Sequence, residues 1–398
     1  MSRLTEVLIG LELFEGNKPS GLDHAKVGVL SNSASLDSDL NFTWQVVDRV
    51  LPGQIKALFS PQHGYYADAQ ANMIETGHGW HRQLEIPIYS LYSETRCPTK
   101  EMSEQLDWLV IDLQDVGTRV YTFIWTMLEC MRHCASEGIS VLVLDRPNPL
   151  GGCVVEGPIL DPDYRSFVGG WDIPMRHGLT IGELAKLFQL EEQMDLDLHV
   201  VSMSGWETAC SWAKTGRRWV PPSPNLPTLD SVLLYPGQVL LEGTNISEGR
   251  GTTLPFELIG APYVNSDSLS EALNQIGDQS FRVLPTRFRP TFDKWAGEDC
   301  GGVSIHIKNA DEFRSFSFTL QALREIQKTC AEFRWNDPPY EYENHRMPID
   351  ILFGDHRLRE QIGSVEIGML AQVRLLAKWH ERIEDVLIYR GAGRCVKL

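Results

Sequence analysis

The chain has 398 residues, 42% of them hydrophobic and 22% charged, with a formal net charge of −17. That length accommodates two domains, each with its own core. The acidic balance argues against nucleic acid and anionic membranes as partners, since phosphate binding needs clustered Lys and Arg, and no apolar run approaches membrane-spanning length.

The start, MSRLTEVLIGLELFEGNKPSG, has no signal-peptide pattern: Glu6 and Glu12 interrupt its apolar part and no small-residue cleavage site follows. This predicts a cytoplasmic protein. Alternating strands and helices come next. Val27–Ser31 reads as a short strand, Phe42–Val50 as a helical segment and Ile55–Phe59 as the next strand. Ile86–Tyr89 is another. Trp108–Leu113 is a near-continuous apolar strand, as expected where both faces are covered. Tyr121–Ser136 has helical spacing and ends at Gly138, a C-cap residue. Val141–Leu144 is closed by Asp145-Arg146-Pro147. Thr180 with Glu183 three residues on forms a capping box, and Leu198–Val201 completes the pattern. Strands alternating with helices imply a Rossmann-like, mostly parallel α/β sheet over 1–230. Beyond Pro262 the spacing predicts a helix over Leu269–Ile276, a strand over Val303–Ile307, a helix over Leu320–Phe333 and a last helix over Leu370–Tyr389. This is a smaller α/β (α+β) domain over 231–398 that closes a cleft.

Polar clusters follow directly after three strands. The stretch Ala57–Gln70, ALFSPQHGYYADAQ, breaks at Ser60-Pro61 and turns at Gly64. It leaves Gln62, His63, Tyr65, Tyr66 and Asp68 in one loop. Gln114-Asp115, with Arg119 and Tyr121, follows a second strand; Asp145-Arg146 and Asn148 follow a third. In an open parallel sheet, loops beyond the carboxyl ends of strands build the ligand crevice. The plainer alternative is a polar turn with a solvated His63, with Asp115 and Asp145 capping the segments after them. Between 205 and 230, Trp206, Trp212 and Trp219 precede PPSPNLP. This reads as a linker over the site whose indoles either stack on an apolar face of a ligand or pack the core. In LEGTNISEGRGTT, Glu242, Asn245, Glu248 and Arg250 crowd around Gly243, Gly249 and Gly251. Arg250 could fork onto a ligand carboxylate, or form an internal pair with Glu248. Neither GxxxxGK[ST] nor GxGxxG after a strand is present, so nucleotide binding is not supported. Thr291-Phe292-Asp293-Lys294 and Cys300-Gly301-Gly302 are further stretches facing the cleft. The eight cysteines are scattered and read as reduced thiols. Cys130, His133 and Cys134 lack the second ligand pair of a zinc site, so no metal and no cofactor is expected.

These stretches resemble the NamZ (YbbC-like) family of exo-β-N-acetylmuramidases. Matching segments run in order along most of the chain: PIYSLY at 87–92, DLQDVGTRVY at 112–121, LDRPNP at 144–149, VEGP at 155–158, RHGLTIGE at 176–183, PPSPNLPT at 221–228, LEGTNISEGRGTT at 241–253 and PFELIGAP at 255–262. The resemblance implies removal of terminal N-acetylmuramic acid from peptidoglycan fragments, with muramic-acid saccharides or muropeptides as ligands. It also implies a site built from Gln62, His63 and Asp115. Asp68, Arg119, Tyr121, Asp145, Asn148, His177, Asn225, Glu248 and Arg250 would shape the sugar pocket. Members often carry export signals. One departure matters: the family's loop reads F-G-P-E-H-G, and its catalytic Glu falls where this chain has Gln62. An amide cannot give up a proton near neutral pH. Three explanations stand: Gln62 is a deliberate Glu→Gln change that traps a ligand, another acid works, with Asp68, Asp115, Glu156, Glu242 and Glu248 as candidates, or the chain binds muropeptides without cleaving them.

Overall fold

A computed structural model describes residues 7–70, 74–364, 366–371 and 376–389. Twelve strands occur in chain order. They are β1 (Val27–Leu30), β2 (Ile55–Ser60), β3 (Gly79–His81), β4 (Ile86–Ser90), β5 (Trp108–Ile111), β6 (Ser140–Leu144), β7 (Glu156–Ile159), β8 (Pro174–Arg176), β9 (Leu198–Val201), β10 (Leu258–Ala261), β11 (Phe281–Phe288) and β12 (Cys300–Ile307). Seven build the central sheet in the order β3-β4-β2-β1-β5-β6-β9. All its pairings are parallel except β3 with β4. The chain moves outward from β1 through β2 to β4, then returns to the other side of β1 at β5. The order therefore reverses between β1 and β5, and a parallel sheet opens its crevice at such a point.

Both faces of this sheet are covered. Val27, Val29, Val110, Leu142 and Leu144 enter one apolar cluster; Leu30, Leu109, Ile111, Val141 and Val143 enter the other. This is the period-2 alternation of a strand, so the runs read as continuously apolar because each side meets helices. The helix Phe123–Glu137 ends where Gly138, at φ 70°, donates its N–H to Cys134 O. The capping box at 180 forms: Thr180 Oγ1 accepts from Glu183 N at 3.2 Å, and Glu183 Oε2 accepts from Thr180 N at 3.1 Å.

The second domain is smaller and carries an antiparallel sheet, β10-β12-β11. Its strand β11 was not legible because Pro285 interrupts FRVLPTRF; β11 lies at the sheet edge, where proline is tolerated. One apolar cluster runs from the central sheet into this part, through Val239, Ile259, Val303, Phe316 and Phe353. The expected helix over Leu370–Tyr389 appears as Ile367–Ala371 and Leu376–Ile383, with 372–375 outside the described residues. Among the described residues no helix is long and apolar enough to cross a membrane.

Arg119 joins these parts. The resemblance placed it in the sugar pocket, but it is fully buried elsewhere. Its Nη1 donates to the carbonyls of Pro158 and Ile173 at 2.8 and 3.0 Å; its Nη2 donates to those of Leu352 and Phe353, both at 2.9 Å. Each buried carbonyl left without a donor costs about 1–3 kcal/mol. Arg119→Met is therefore expected to destabilise the fold by roughly 4 kcal/mol or more, read as a lower denaturation midpoint.

Candidate active site

The carboxyl end of β2 runs straight into the Gln62-His63 turn. His63 (φ 73°) and Gly64 (φ 81°) both have left-handed backbone. Glycine adopts it freely and histidine does not, so the turn holds His63 under strain, as functional sites often do. His63 Nδ1 lies 2.7 Å from Ala69 O. A carbonyl only accepts, so Nδ1 carries the proton and Nε2 is left with its lone pair. Burial pushes the imidazole down to about 4, helped by the charge of Arg250. Gln62 Oε1 accepts from Thr122 Oγ1 at 2.7 Å, which leaves its amide N–H2 as a donor.

Three further segments meet this turn: the loop after β5, the proline-rich segment near 225, and the glycine-rich stretch after 241. Together they enclose a cavity walled by Gln62, His63, Tyr121, Asn225, Glu242 and Arg250. Thr122, Ser223, Tyr235, Tyr340 and Glu341 complete the polar part of the wall. Its free volume is about 30 Å³, room for about two waters and less than a sugar ring needs. Several buried polar atoms here have no partner among the described residues: Tyr121 Oη, Asn225 Oδ1 and Arg250 Nη1. Buried polar groups are nearly always paired, so these atoms are available to bound water or to a polar ligand.

Arg250 is the strongest charge in the wall. It donates from Nη2 to Glu242 Oε1 at 2.6 Å, and its Nε is 3.1 Å from Glu248 Oε1. Burial opposes its charge, but Glu242 and Glu248 hold the guanidinium well above its ordinary pKa. Lys294 Nζ, 2.7 Å from Glu248 Oε2, completes the group; it comes from the Thr291–Lys294 stretch singled out in the sequence. Gly251 permits this crowding: at φ 77° it passes so close to Phe292 that a Cβ would sit 2.5 Å from the carbonyl oxygen.

Several expected pocket residues lie elsewhere. Asp68 is exposed. Asp145 is buried at the start of the helix Ile181–Glu192, accepting from Thr180 Oγ1, Gly182 N and Tyr389 Oη at 2.8, 2.8 and 2.6 Å; desolvation raises it to about 7. Asn148 donates to Leu179 O at 2.9 Å and closes a turn through Leu150 N. Glu156 pairs with Arg176 at 3.0 Å. Glu248 stands behind Arg250. Asp115 accepts from Gly117 N at 2.8 Å and lies 3.4 Å from His177 Nε2, one layer behind the wall. The tryptophans pack: Trp206 meets Tyr389 edge-on at 4.9 Å, and Trp212 meets Trp219 at 5.0 Å. Cys130 and Cys134 are buried, and His133 Nε2 is engaged by Ser103 Oγ at 2.7 Å. Tyr340 and Glu341 were missed; their signal is the Tyr-Glu alternation of PPYEYE.

A larger groove of about 440 Å³ lies beside Ala34, Gln114 and Arg146. Its most buried cations are already neutralised, Arg146 by Asp112 and Arg217 by Glu12. The small cavity, where the strained His63 turn and several polar atoms without hydrogen-bond partners among the described residues come together, is the better candidate.

The doubly covered parallel sheet and the smaller antiparallel domain, with a polar cavity at the carboxyl edge of the central sheet, define a two-part α/β protein. The sequence profiles of the two parts of one family match nearly the whole chain: "Exo-beta-N-acetylmuramidase NamZ, N-terminal" over 27–230 and its C-terminal counterpart over 233–389. The chain belongs to the NamZ family. It is 42% identical over 327 residues to the peptidoglycan β-N-acetylmuramidase NamZ of Bacillus subtilis (strain 168), covering 82% of this chain and 79% of that protein. Two crystal structures of DUF1343 family proteins from Bacteroides fragilis share the fold. One has TM-score 0.85 and 27% identity, with 98% of this chain and 100% of that chain covered. The other has 0.75 and 26%, with 97% and 99% covered.

The His63 assignment gives a stability signature. An unfolded imidazole titrates near 6.5 and the folded one near 4, so as pH falls the unfolded chain takes up the proton first. His63 thus reduces stability progressively from about pH 6.5 to 4. His63→Gln is expected to flatten that part of the stability–pH curve, measured by denaturant titration at successive pH values.

Proposed function

We propose that the chain is an exo-acting β-N-acetylmuramidase that hydrolyses terminal N-acetylmuramic acid from peptidoglycan fragments. The observation that carries this reading is the buried, unpartnered Nη1 of Arg250 in the cavity wall. A muramic sugar differs from its N-acetylglucosamine neighbour by a lactyl carboxylate, and a guanidinium is suited to take one. Tyr121 Oη and Asn225 Oδ1 supply a donor and an acceptor for sugar hydroxyl or amide groups. His63 Nε2 offers a further acceptor. Asp115, with His177, supports this wall from behind.

The opposing reading is a homologue that binds muropeptides without cleaving them, and Gln62 is the observation that favours it. The test is release of a chromogenic aglycone from N-acetylmuramic acid and N-acetylglucosamine glycosides, by this chain and by Gln62→Glu. The muramidase reading expects turnover of the muramic glycoside alone by the chain as it stands. Turnover by Gln62→Glu only would favour the binding protein, and silence from both would remove the muramidase reading. Arg250→Lys keeps the charge and loses the fork; it is expected to raise KM for the muramic glycoside roughly ten- to a hundredfold, the loss of one charged hydrogen bond.

A further inference from the structure

Gln62, which by the family resemblance stands where a proton donor would be, lines one side of the cavity, and a strained turn supplies a carboxyl on the other. Tyr340 and Glu343 exchange both backbone hydrogen bonds, each 2.9 Å. Between them Glu341 (φ 44°) and Tyr342 (φ 69°) are both left-handed. This is a two-residue type I′ hairpin turn, for which Asn-Gly is the relaxed sequence. Glu and Tyr there are strained, and such strain persists only where the surroundings enforce it. The surroundings do so here. Tyr92 Oη donates to Glu341 Oε2 at 3.1 Å, and the Arg96 guanidinium covers the Tyr342 and Tyr92 rings at 4.4 and 4.2 Å. The effect is to bury Glu341, 4% exposed, in the wall that also holds Gln62.

The other ionisable groups of that wall are tied up or bind their protons too tightly to give one up. His63 is neutral, with its one N–H engaged by Ala69 O. Burial pushes the phenols of Tyr121, Tyr235 and Tyr340 upward. Glu242 is ion-paired with Arg250 and accepts from Tyr340 Oη at 2.6 Å. Glu341 has no cation in ion-pair contact among the described residues; its side-chain partner is a phenol. Burial raises its carboxyl to about 7; Glu242 adds to this, while Tyr92, Arg250 and Arg96 oppose it.

We propose that Glu341 is the general acid of this chain, taking the role that Gln62 cannot perform. It gives its proton to the glycosidic oxygen as the bond from that oxygen to the anomeric carbon of the muramic sugar breaks. Water forms the new bond to that carbon. The proton the water releases restores the Glu341 carboxyl by the end of the turnover, directly or through solvent. This rests on the muramidase reading.

The test compares two leaving groups across pH 5 to 9: a muramic acid–N-acetylglucosamine disaccharide, whose alkoxide needs a proton, and a nitrophenyl muramic glycoside, whose phenolate does not. For the unaltered chain, kcat/KM on the disaccharide is expected to fall as pH rises through about 7, where Glu341 loses its proton. Glu341→Gln is expected to cost roughly a hundred- to ten-thousandfold on the disaccharide, to abolish that limb, and to cost far less on the nitrophenyl glycoside. Glu341→Asp keeps a carboxyl and is expected to keep the limb. Equal losses on both substrates, or no loss on the disaccharide, would overturn the assignment while leaving the muramidase reading intact. If the unaltered chain cleaves neither substrate, the muramidase reading falls and the assignment falls with it.

Discussion

The site depends on a guanidinium held between two carboxylates. Arg250 lies among Glu242, Glu248 and, through Glu248, Lys294, all of them buried or largely so. Such a group adds little net stability, because desolvating the charges offsets most of their attraction. Its value is positional. Glu242 accepts from Nη2 and Glu248 lies 3.1 Å from Nε, while Nη1 has no hydrogen-bond partner among the described residues. An apolar replacement would pack as well and recognise nothing.

The cavity is assembled at the carboxyl edge of the central sheet, and its walls carry backbone strain at two separate places. His63 on one side and Glu341 on the other are both non-glycine residues in left-handed backbone. In both cases the conformation carries a titratable side chain into the wall of the same small cavity. Burial then acts oppositely on the two, because it disfavours the charged form of each: the imidazole goes down and the carboxyl goes up. One becomes a neutral acceptor and the other a protonated donor at the same pH. Paired groups whose environments separate their proton affinities in this way are the pattern of acid and base chemistry.

The central sheet was legible because its strands are short, apolar and regularly punctuated, and because the Thr180–Glu183 cap is local. Side-chain destination was less legible. Arg119, Asp145 and Asn148 sit in loops after strands, where ligand-binding residues belong, yet they bind backbone carbonyls and helix starts. A loop needs such internal ties for its buried backbone as much as a ligand needs partners, and local sequence does not tell the two apart. Gln62, His63, Tyr121, Asn225 and Arg250 did converge on one cavity. Glu341 was missed because its turn breaks the Asn-Gly rule that identifies such turns, and because its cavity contacts come from residues far away in sequence.

The most direct measurement is calorimetric titration of the chain with free N-acetylmuramic acid and, separately, N-acetylglucosamine. The account predicts binding of the muramic sugar at least about tenfold tighter, the worth of one charged hydrogen bond to Arg250, with the preference erased in Arg250→Lys. Equal affinity for the two sugars would contradict the claim that Arg250 Nη1 receives the lactyl carboxylate.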